Sequence, residues 1–547
     1  MKHLWQTITK TKVLLWREHL GVKQLLSLFS VRGSEVMTES SYNTEKKQQP
    51  RKSPTPVYNT PQKIGLIIGP LLFLLTMLFF EPNGLSNQGQ AVLGVTLWMA
   101  VWWMTEAMPI PVTALLPIIL FPLTGALDLG ATTSSYSSDI IFLFMGGFLI
   151  ALAMERWNLH RRIALTIISV VGTSAERLIL GFMVATAFLS MWISSTATTM
   201  MMVPIGTAII LKFDELMDNY HVNGKEATKK RFGKALMLAI SYSALTGGLG
   251  TLIGTPPNVI FAGFANETYG IEISFANWML FGVPVAIIFT AIAYFVLVKV
   301  LFPFKVSELP GGKEIISSQK QELGPMSIEE KMVATVFVLT ATAWITRTFL
   351  LQPYVSQNIS DAMIAMIAAF ALFLLPSKQK GETLLNWEVT KKLPWGILIL
   401  FGGGLAIAAG FSSSGLTEWI GTQLTGLSHL PMIVILFSII FLVIFLTEIT
   451  SNTATATMLI PIMGALAVAL EVNPLAFLVG TTIAASCAFM FPIATPPNAI
   501  VFSSGVLTIP DMAKAGIWLN IIFSVLLTAV IYWYLPLIWG FSITRLP

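Results

Sequence analysis

The chain is 547 residues long, 54% hydrophobic and only 11% charged, with a mean hydropathy of +0.74. A soluble domain carries about 25% charged residues, so this composition excludes an ordinary soluble enzyme or binding module. It fits a multi-pass membrane protein, whose apolar runs reach the roughly 20 residues a bilayer span needs.

The net charge of +5 concerns topology rather than nucleic acid, because Lys and Arg collect in cytoplasmic loops. The single cysteine, Cys487, rules out an intrachain disulfide and lies in the apolar segment 484–491, where it reads as an inert core residue. No cleavable signal peptide is evident, since a polar, basic leader precedes the first long apolar stretch, which starts near Ile64.

Residues 1–60 read as a cytoplasmic segment and 61–547 as the membrane domain. Within 1–32, Leu4, Trp5, Ile8, Leu15 and Trp16 alternate with Lys2, Lys10, Lys12 and Arg17, the pattern of an amphipathic helix lying on the inner membrane face. Residues 33–60 have the composition of a disordered linker. Starting inside, spans are expected near 64–80, 90–105, 110–126 and 139–155, and Arg156, Arg161 and Arg162 hold the next segment inside. The apolar run 176–212 is broken in its middle by Ser194-Ser195-Thr196 and is basic on both flanks, so it must enter from the cytoplasm and return. That describes a re-entrant hairpin.

Further spans follow near 234–253, 275–300, 332–352, 361–375 and 395–411. The run 431–470 is broken again, but its flanks lack Lys and Arg, so this hairpin enters from outside. Spans near 475–493 and 515–538 leave the C-terminus extracellular. Of 33 Lys and Arg, this threading places only Arg347 and Arg545 outside. The expected fold is all-α: about 11 transmembrane helices plus two re-entrant hairpins, in inverted repeats covering about 90–303 and 331–540.

The two breaks are written twice. Ser194-Ser195-Thr196-Ala197-Thr198 and Ser451-Asn452-Thr453-Ala454-Thr455 each run on to a proline, Pro204 and Pro461. Each is followed by Thr-Pro-Pro-Asn, at Thr255–Asn258 and Thr495–Asn498. Gly146-Gly147 and Gly403-Gly404 stand 48 residues ahead of their triplets, so the halves map with an offset of 257. Duplicated helix-breaking segments inside a membrane protein mark a transporter whose site lies between two repeats.

A broken helix is tolerated in hydrocarbon only where it lines a cavity or is buried in protein. Half-helix N-termini favour anions and carbonyl ends favour cations, while Ser, Thr and Asn supply neutral donors and acceptors. The breaks lack His and Lys and hold no cysteine cluster, which argues against a transition metal and against a fixed basic residue for the anion. Each Pro-Pro pair removes two amide donors and forces the chain out of helix. Two intramembrane carboxylates are candidates by default. Glu448 either tunes a cation site or pairs with a backbone or hydroxyl group, the second being the better reading. Glu106, followed by Pro109 and Pro111, reads as a structural turn, and the Trp-rich helix ends read as interfacial anchors.

These paired hairpin tips, the paired Thr-Pro-Pro-Asn breaks and Trp103-x-Thr105-Glu106-Ala107 resemble the divalent-anion/sodium symporter family, over about residues 62–542. The resemblance implies a homodimeric elevator-type carrier in the plasma membrane, of the bacterial sodium/dicarboxylate symporter type. Such carriers move C4-dicarboxylates, citrate or sulfate with sodium, without an organic cofactor and without catalysis. It further implies a first sodium site at Ser190, Ser194, Ser195 and Gly254 and a second at Thr447, Thr450, Asn452 and Ala494. Substrate carboxylates would meet Ser195, Thr196 and Thr255 from one half and Asn452, Thr453, Thr495 and Pro496 from the other. The family pattern has Asn at the middle of both triplets, and this chain has Ser195 in the first. A hydroxyl offers one donor where the amide NH₂ offers two, so cation binding at the first site is expected to differ.

The expected function is sodium-coupled import of succinate, fumarate or malate. Alternatives are a sodium-independent exchanger or proton-coupled carrier, a citrate or sulfate carrier of the same fold, and a non-transporting sensor using residues 1–60.

Overall fold

The computed structural model describes residues 58–543, apart from 173, 219–224, 305–311, 380, 425 and 427–428. The amphipathic-helix and linker readings of the N-terminal segment therefore lie outside the described residues. The described chain is helical almost throughout. Eight helices are long and apolar enough to cross a membrane, and four shorter apolar segments of 10–17 residues accompany them.

The first part runs α1 (Thr60–Phe79), α2 (Asn87–Thr105), α3 (Ile110–Thr113), α4 (Leu116–Thr124), α5 (Leu129–Ser134) and α6 (Asp139–Arg156). Then come α7 (Leu159–Val171), α8 (Ala175–Ser190), α9 (Ser195–Asp218), α10 (Lys225–Gly248), α11 (Pro256–Tyr269) and α12 (Phe275–Phe295). The second part has α13 (Gly312–Glu322), α14 (Ile328–Thr346), α15 (Asp361–Leu374), α16 (Trp395–Ser413) and α17 (Leu416–Leu424). It closes with α18 (Met432–Thr447), α19 (Asn452–Ala469), α20 (Pro474–Ala485), α21 (Pro496–Ser503) and α22 (Ile509–Ala529).

Local chemistry sets these starts. Ser86, Ser274, Ser327, Ser360 and Thr508 accept a first-turn amide and cap α2, α12, α14, α15 and α22, satisfying donors that a helix start leaves free. Glu106 closes α2 at φ 48°, in the left-handed region, in keeping with the turn reading.

Hydrogen bonds and ion pairs between connecting segments fall into two sets. At one end Arg156 pairs with Glu382, Arg162 with Glu330 at 3.0 Å, Lys299 with Glu176 at 2.7 Å and Lys234 with Asp511 at 2.7 Å. At the other Ser86 donates to the Ser414 carbonyl at 2.7 Å, Arg347 pairs with Glu272 at 2.7 Å and Asn473 N–H donates to the Ile543 carbonyl at 2.9 Å.

Several boundaries differ from the sequence reading. The expected span 110–126 is two helices, α3 and α4, because Pro117 stands in the first turn of the second. The expected spans 234–253 and 475–493 stop at Gly248 and Ala485, before the breaks. The tryptophans at the end of α2 are not simple interfacial anchors. Trp103 is buried and donates to the Ile110 carbonyl at 3.1 Å, and Trp102 donates to the Gly65 carbonyl at 3.0 Å.

The duplicated glycine pairs are crossing points. A Cβ on Gly146 would fall 2.6 Å from Ala365, and one on Gly403 would fall 2.4 Å from the Ala114 carbonyl oxygen. Small residues there let backbones approach closely.

Candidate functional site

Each hairpin tip is a short turn between two helices. In the first, α8 ends at Ser190, and Ser194 Oγ accepts the Ala197 amide at 3.2 Å to start α9. Ser195 and Thr196 are thus the first two residues of α9, and both are half-buried. Ser190 is fully buried and donates to the Ala244 carbonyl on α10 at 2.5 Å.

The second tip repeats this plan. Asn452 and Thr453 open α19 and are half-buried. Thr447 Oγ1 stands 2.8 Å from both Asn452 Oδ1 and the Ala485 carbonyl oxygen on α20. Thr450 Oγ1 lies 2.6 Å from Thr455 Oγ1. In both halves, then, a buried hydroxyl at the end of the first arm pins the hairpin to the helix that breaks beside it.

The two breaks also match. Thr255 and Thr495 occupy the N-cap positions of α11 and α21 with nearly equal dihedrals (φ −147°, ψ 142° and φ −145°, ψ 150°), each ahead of two prolines in the first turn, and Thr495 Oγ1 also accepts the Asn498 amide at 3.4 Å. Asn258 Nδ2 donates to the carbonyls ten and seven residues back, Gly248 at 3.2 Å and Thr251 at 2.8 Å. Asn498 does the same to Ala488 at 3.0 Å and Phe491 at 3.1 Å. A side-chain amide therefore stitches each gap, donating across it to one carbonyl at the helix end (Gly248, Ala488) and one in the turn (Thr251, Phe491).

Gly254 and Ala494 occupy one position in the two turns, their amides donating to Thr251 at 3.3 Å and Phe491 at 3.2 Å. A Cβ on Gly254 would lie 2.4 Å from the Gly248 carbonyl oxygen, so the first gap closes too tightly for a side chain. Thr495 is buried and Pro496 exposed.

The second arm of each hairpin packs beside the far half-helix of the other repeat, α9 along α21 and α19 along α11. α9 and α21 run from their breaks to the end that holds Lys234 and Asp511. α11 and α19 run to the end that holds Glu272 and Asn473. Four helices therefore begin at these tips and breaks, each with a positive dipole end at its start, and the Pro-Pro starts of α11 and α21 carry no N–H at their first two positions. Ser195, Thr196, Asn452 and Thr453 are the first residues of α9 and α19, and Thr255 and Thr495 immediately precede α11 and α21, so neutral hydroxyl and amide side chains occupy all four starts. This arrangement suits a small anion whose charge is offset by cations on hard oxygens.

Four contributors were not identified as such in the sequence. Asn258 and Asn498 were legible as the fourth motif residue but without a role. Ser241 donates to Asn498 Oδ1 at 2.6 Å and Tyr242 to the Phe489 carbonyl at 2.9 Å, tying α10 of the first half to the second break. Neither carries a sequence signal. Glu448 resolves toward the backbone reading. Its carboxylate, 1% exposed, accepts the amides of Phe489 (2.7 Å), Met490 (2.9 Å) and Phe491 (3.3 Å), and Asn520 Nδ2 at 2.8 Å.

Residues 62–540 match the family described as "Sodium:sulfate symporter transmembrane region". The chain belongs to that family. It is accordingly a multi-pass membrane transporter and not an enzyme. It is 49% identical over 491 residues to the sodium-dependent dicarboxylate transporter SdcS of Staphylococcus saprophyticus, covering 89% of this chain and 94% of that one. It is 48% identical over 514 residues to SdcS of Staphylococcus aureus strain MRSA252, covering 93% and 98%. Two solved structures share the fold at low identity. MtrF of Neisseria gonorrhoeae, described as illuminating a class of antimetabolite efflux pumps, has a TM-score of 0.52 at 13% identity, covering 87% of this chain and 95% of that one. The YdaH transporter of Alcanivorax borkumensis has a TM-score of 0.52 at 14% identity, covering 81% and 99%. The family match extends over both hairpins and both breaks.

Proposed function

We propose that this family member imports C4-dicarboxylates such as succinate, fumarate and malate, together with sodium ions, across the plasma membrane. The carrying observation is that four helices start at the duplicated tips and breaks, on residues whose side chains are neutral hydroxyls and amides. The 48–49% identity to sodium-dependent dicarboxylate transporters supports the same reading.

In this reading one carboxylate meets Ser195, Thr196 and Thr255 and the other Asn452, Thr453, Thr495 and Pro496. One sodium ion binds at Ser190, Ser194, Ser195 and Gly254. The second binds at Thr447, Thr450, Asn452 and Ala494. The chain crosses the membrane 11 times, with the N-terminus cytoplasmic and the C-terminus extracellular.

Transport follows an elevator path in a homodimer. The bonds Ser190–Ala244, Thr447–Ala485 and Ser241–Asn498 join hairpins and broken helices into one moving unit. It slides against a scaffold formed by α1–α6 and α14–α16, in repeats spanning 90–303 and 331–540.

The test is labelled succinate uptake into proteoliposomes with an inward sodium gradient, challenged with unlabelled fumarate, malate, citrate or sulfate. Competition by fumarate and malate alone is expected. Stronger competition by citrate or sulfate would reassign the substrate. Ser195 in place of an amide favours a second reading, sodium-independent exchange, which predicts acceleration by internal succinate without sodium.

A further inference from the structure

The two breaks are alike in outline but differ in what satisfies their amides. In the first, Leu249 N–H donates to Thr246 at 3.3 Å and Gly250 N–H to Gly247 at 2.9 Å, both carbonyls of the same helix end. In the second, the amides of Phe489, Met490 and Phe491 all turn to the Glu448 carboxylate. Asn520 of α22 donates to the same group, which leaves it ringed by N–H donors. The position equivalent to Glu448 in the first half, 257 residues earlier, is Met191. Its thioether packs where a Cβ on Gly250 would come within 2.9–3.1 Å. The first break therefore holds an apolar contact where the second holds a fixed anion.

That anion is next to the second cation site in two ways. Glu448 follows Thr447 directly and precedes Thr450 by two residues. Its backbone partners end at Phe491, whose carbonyl accepts both the Ala494 amide at 3.2 Å and Asn498 Nδ2 at 3.1 Å. The carboxylate thus sets the shape of the turn that presents Ala494, and it places a negative charge beside the ligands in a water-poor setting, where charges interact strongly. We infer that Glu448 is a positioning residue that makes the two sodium sites unequal. The second site fills on the empty carrier, and the first, without a fixed anion, depends on the charge of the arriving dicarboxylate. This rests on the sodium-coupled reading proposed above.

The test is sodium titration of the full chain, in proteoliposomes for uptake and in detergent for sodium-dependent thermal stabilisation without substrate. Glu448→Gln should raise the sodium concentration for half-maximal uptake at least about tenfold. It should leave the succinate KM at saturating sodium within about threefold and remove most of the substrate-free stabilisation. Adding Asn520→Asp, which returns a carboxylate to the same contact, should recover part of the sodium response. A purely structural role would move stability and both half-saturation values together without that rescue. A sodium curve for Glu448→Gln that overlays the unmodified protein's overturns the inference.

Should Glu448→Gln fail to fold, the ligand variants decide. Substrate-free stabilisation by sodium should survive Ser190→Ala with Ser194→Ala and be lost with Thr447→Val and Asn452→Ala, and the reverse pattern overturns the inference. An unmodified protein that shows no sodium dependence in either assay refutes the sodium-coupled reading itself, a failure distinct from the others.

Discussion

Gly247→Ala tests whether the first hairpin is positioned by direct backbone contact. A Cβ at Gly247 would fall 2.3 Å from the Ala187 carbonyl oxygen, 2.5 Å from its Cα and 2.7 Å from its carbonyl carbon. All three atoms are backbone, so no side chain can rotate away. Ordinary contact needs about 3.3 Å or more, so α8 and α10 must separate by about 1 Å. The Ser190–Ala244 hydrogen bond, 2.5 Å long and three residues from each partner of the clash, then stretches to about 3.5 Å and is lost. Overpacking costs about 1–3 kcal/mol and the hydrogen bond about 1 kcal/mol, against a helix-propensity gain of about 1 kcal/mol.

The net loss of about 1–3 kcal/mol lowers the unfolding temperature by a few degrees and leaves a folded protein. Transport should suffer more, because a site displaced by 1 Å exceeds the roughly 0.5 Å that productive geometry tolerates. Sodium-driven succinate uptake in proteoliposomes should fall at least about tenfold. Gly480→Ala is the control, since its nearest neighbours, the side chains of Ile440 and Leu436, stand at 3.5 Å. Uptake by Gly247→Ala equal to that of Gly480→Ala would refute the reasoning.

Asn498→Ala should destabilise the protein more than Asn258→Ala, by about 1–2 kcal/mol, because it also strands the Ser241 hydroxyl. Equal unfolding temperatures would contradict the cross-repeat bond. Ser195→Asn should lower the sodium half-saturation several-fold with little change in stability, and an unchanged sodium curve would remove Ser195 from the cation site. Arg347→Met should cost about 3–5 kcal/mol, since it leaves the buried Asp361, now 2.8 Å from Arg347, without its cation. Thermal unfolding within about 1 kcal/mol of the unmodified protein would show that the Phe275 amide alone satisfies Asp361.

The elements that break regularity were the legible ones. Ser194–Thr196, Ser451–Thr453 and the two Thr-Pro-Pro-Asn runs stand out because polar and helix-breaking residues are costly in an apolar run, and duplication removes coincidence. What joins the pieces was not legible. Asn258 and Asn498 reach carbonyls ten and seven residues back only once a helix has broken, and Glu448 finds its amides 41 to 43 residues away. Trp103 looks like an interfacial residue until the proline-rich turn after α2 folds Ile110 over it. Span lengths were overestimated at 234–253 and 475–493 because apolarity continues through a break, although hydrogen bonding does not.

The measurement that tests the central claim most directly is accumulation of labelled succinate in proteoliposomes that start with equal succinate on both sides and sodium only outside. The account predicts a transient rise of internal above external succinate, which a sodium ionophore abolishes and which potassium in place of sodium does not produce. Equal label on both sides whatever the sodium gradient, with exchange accelerated only by internal dicarboxylate, would contradict it.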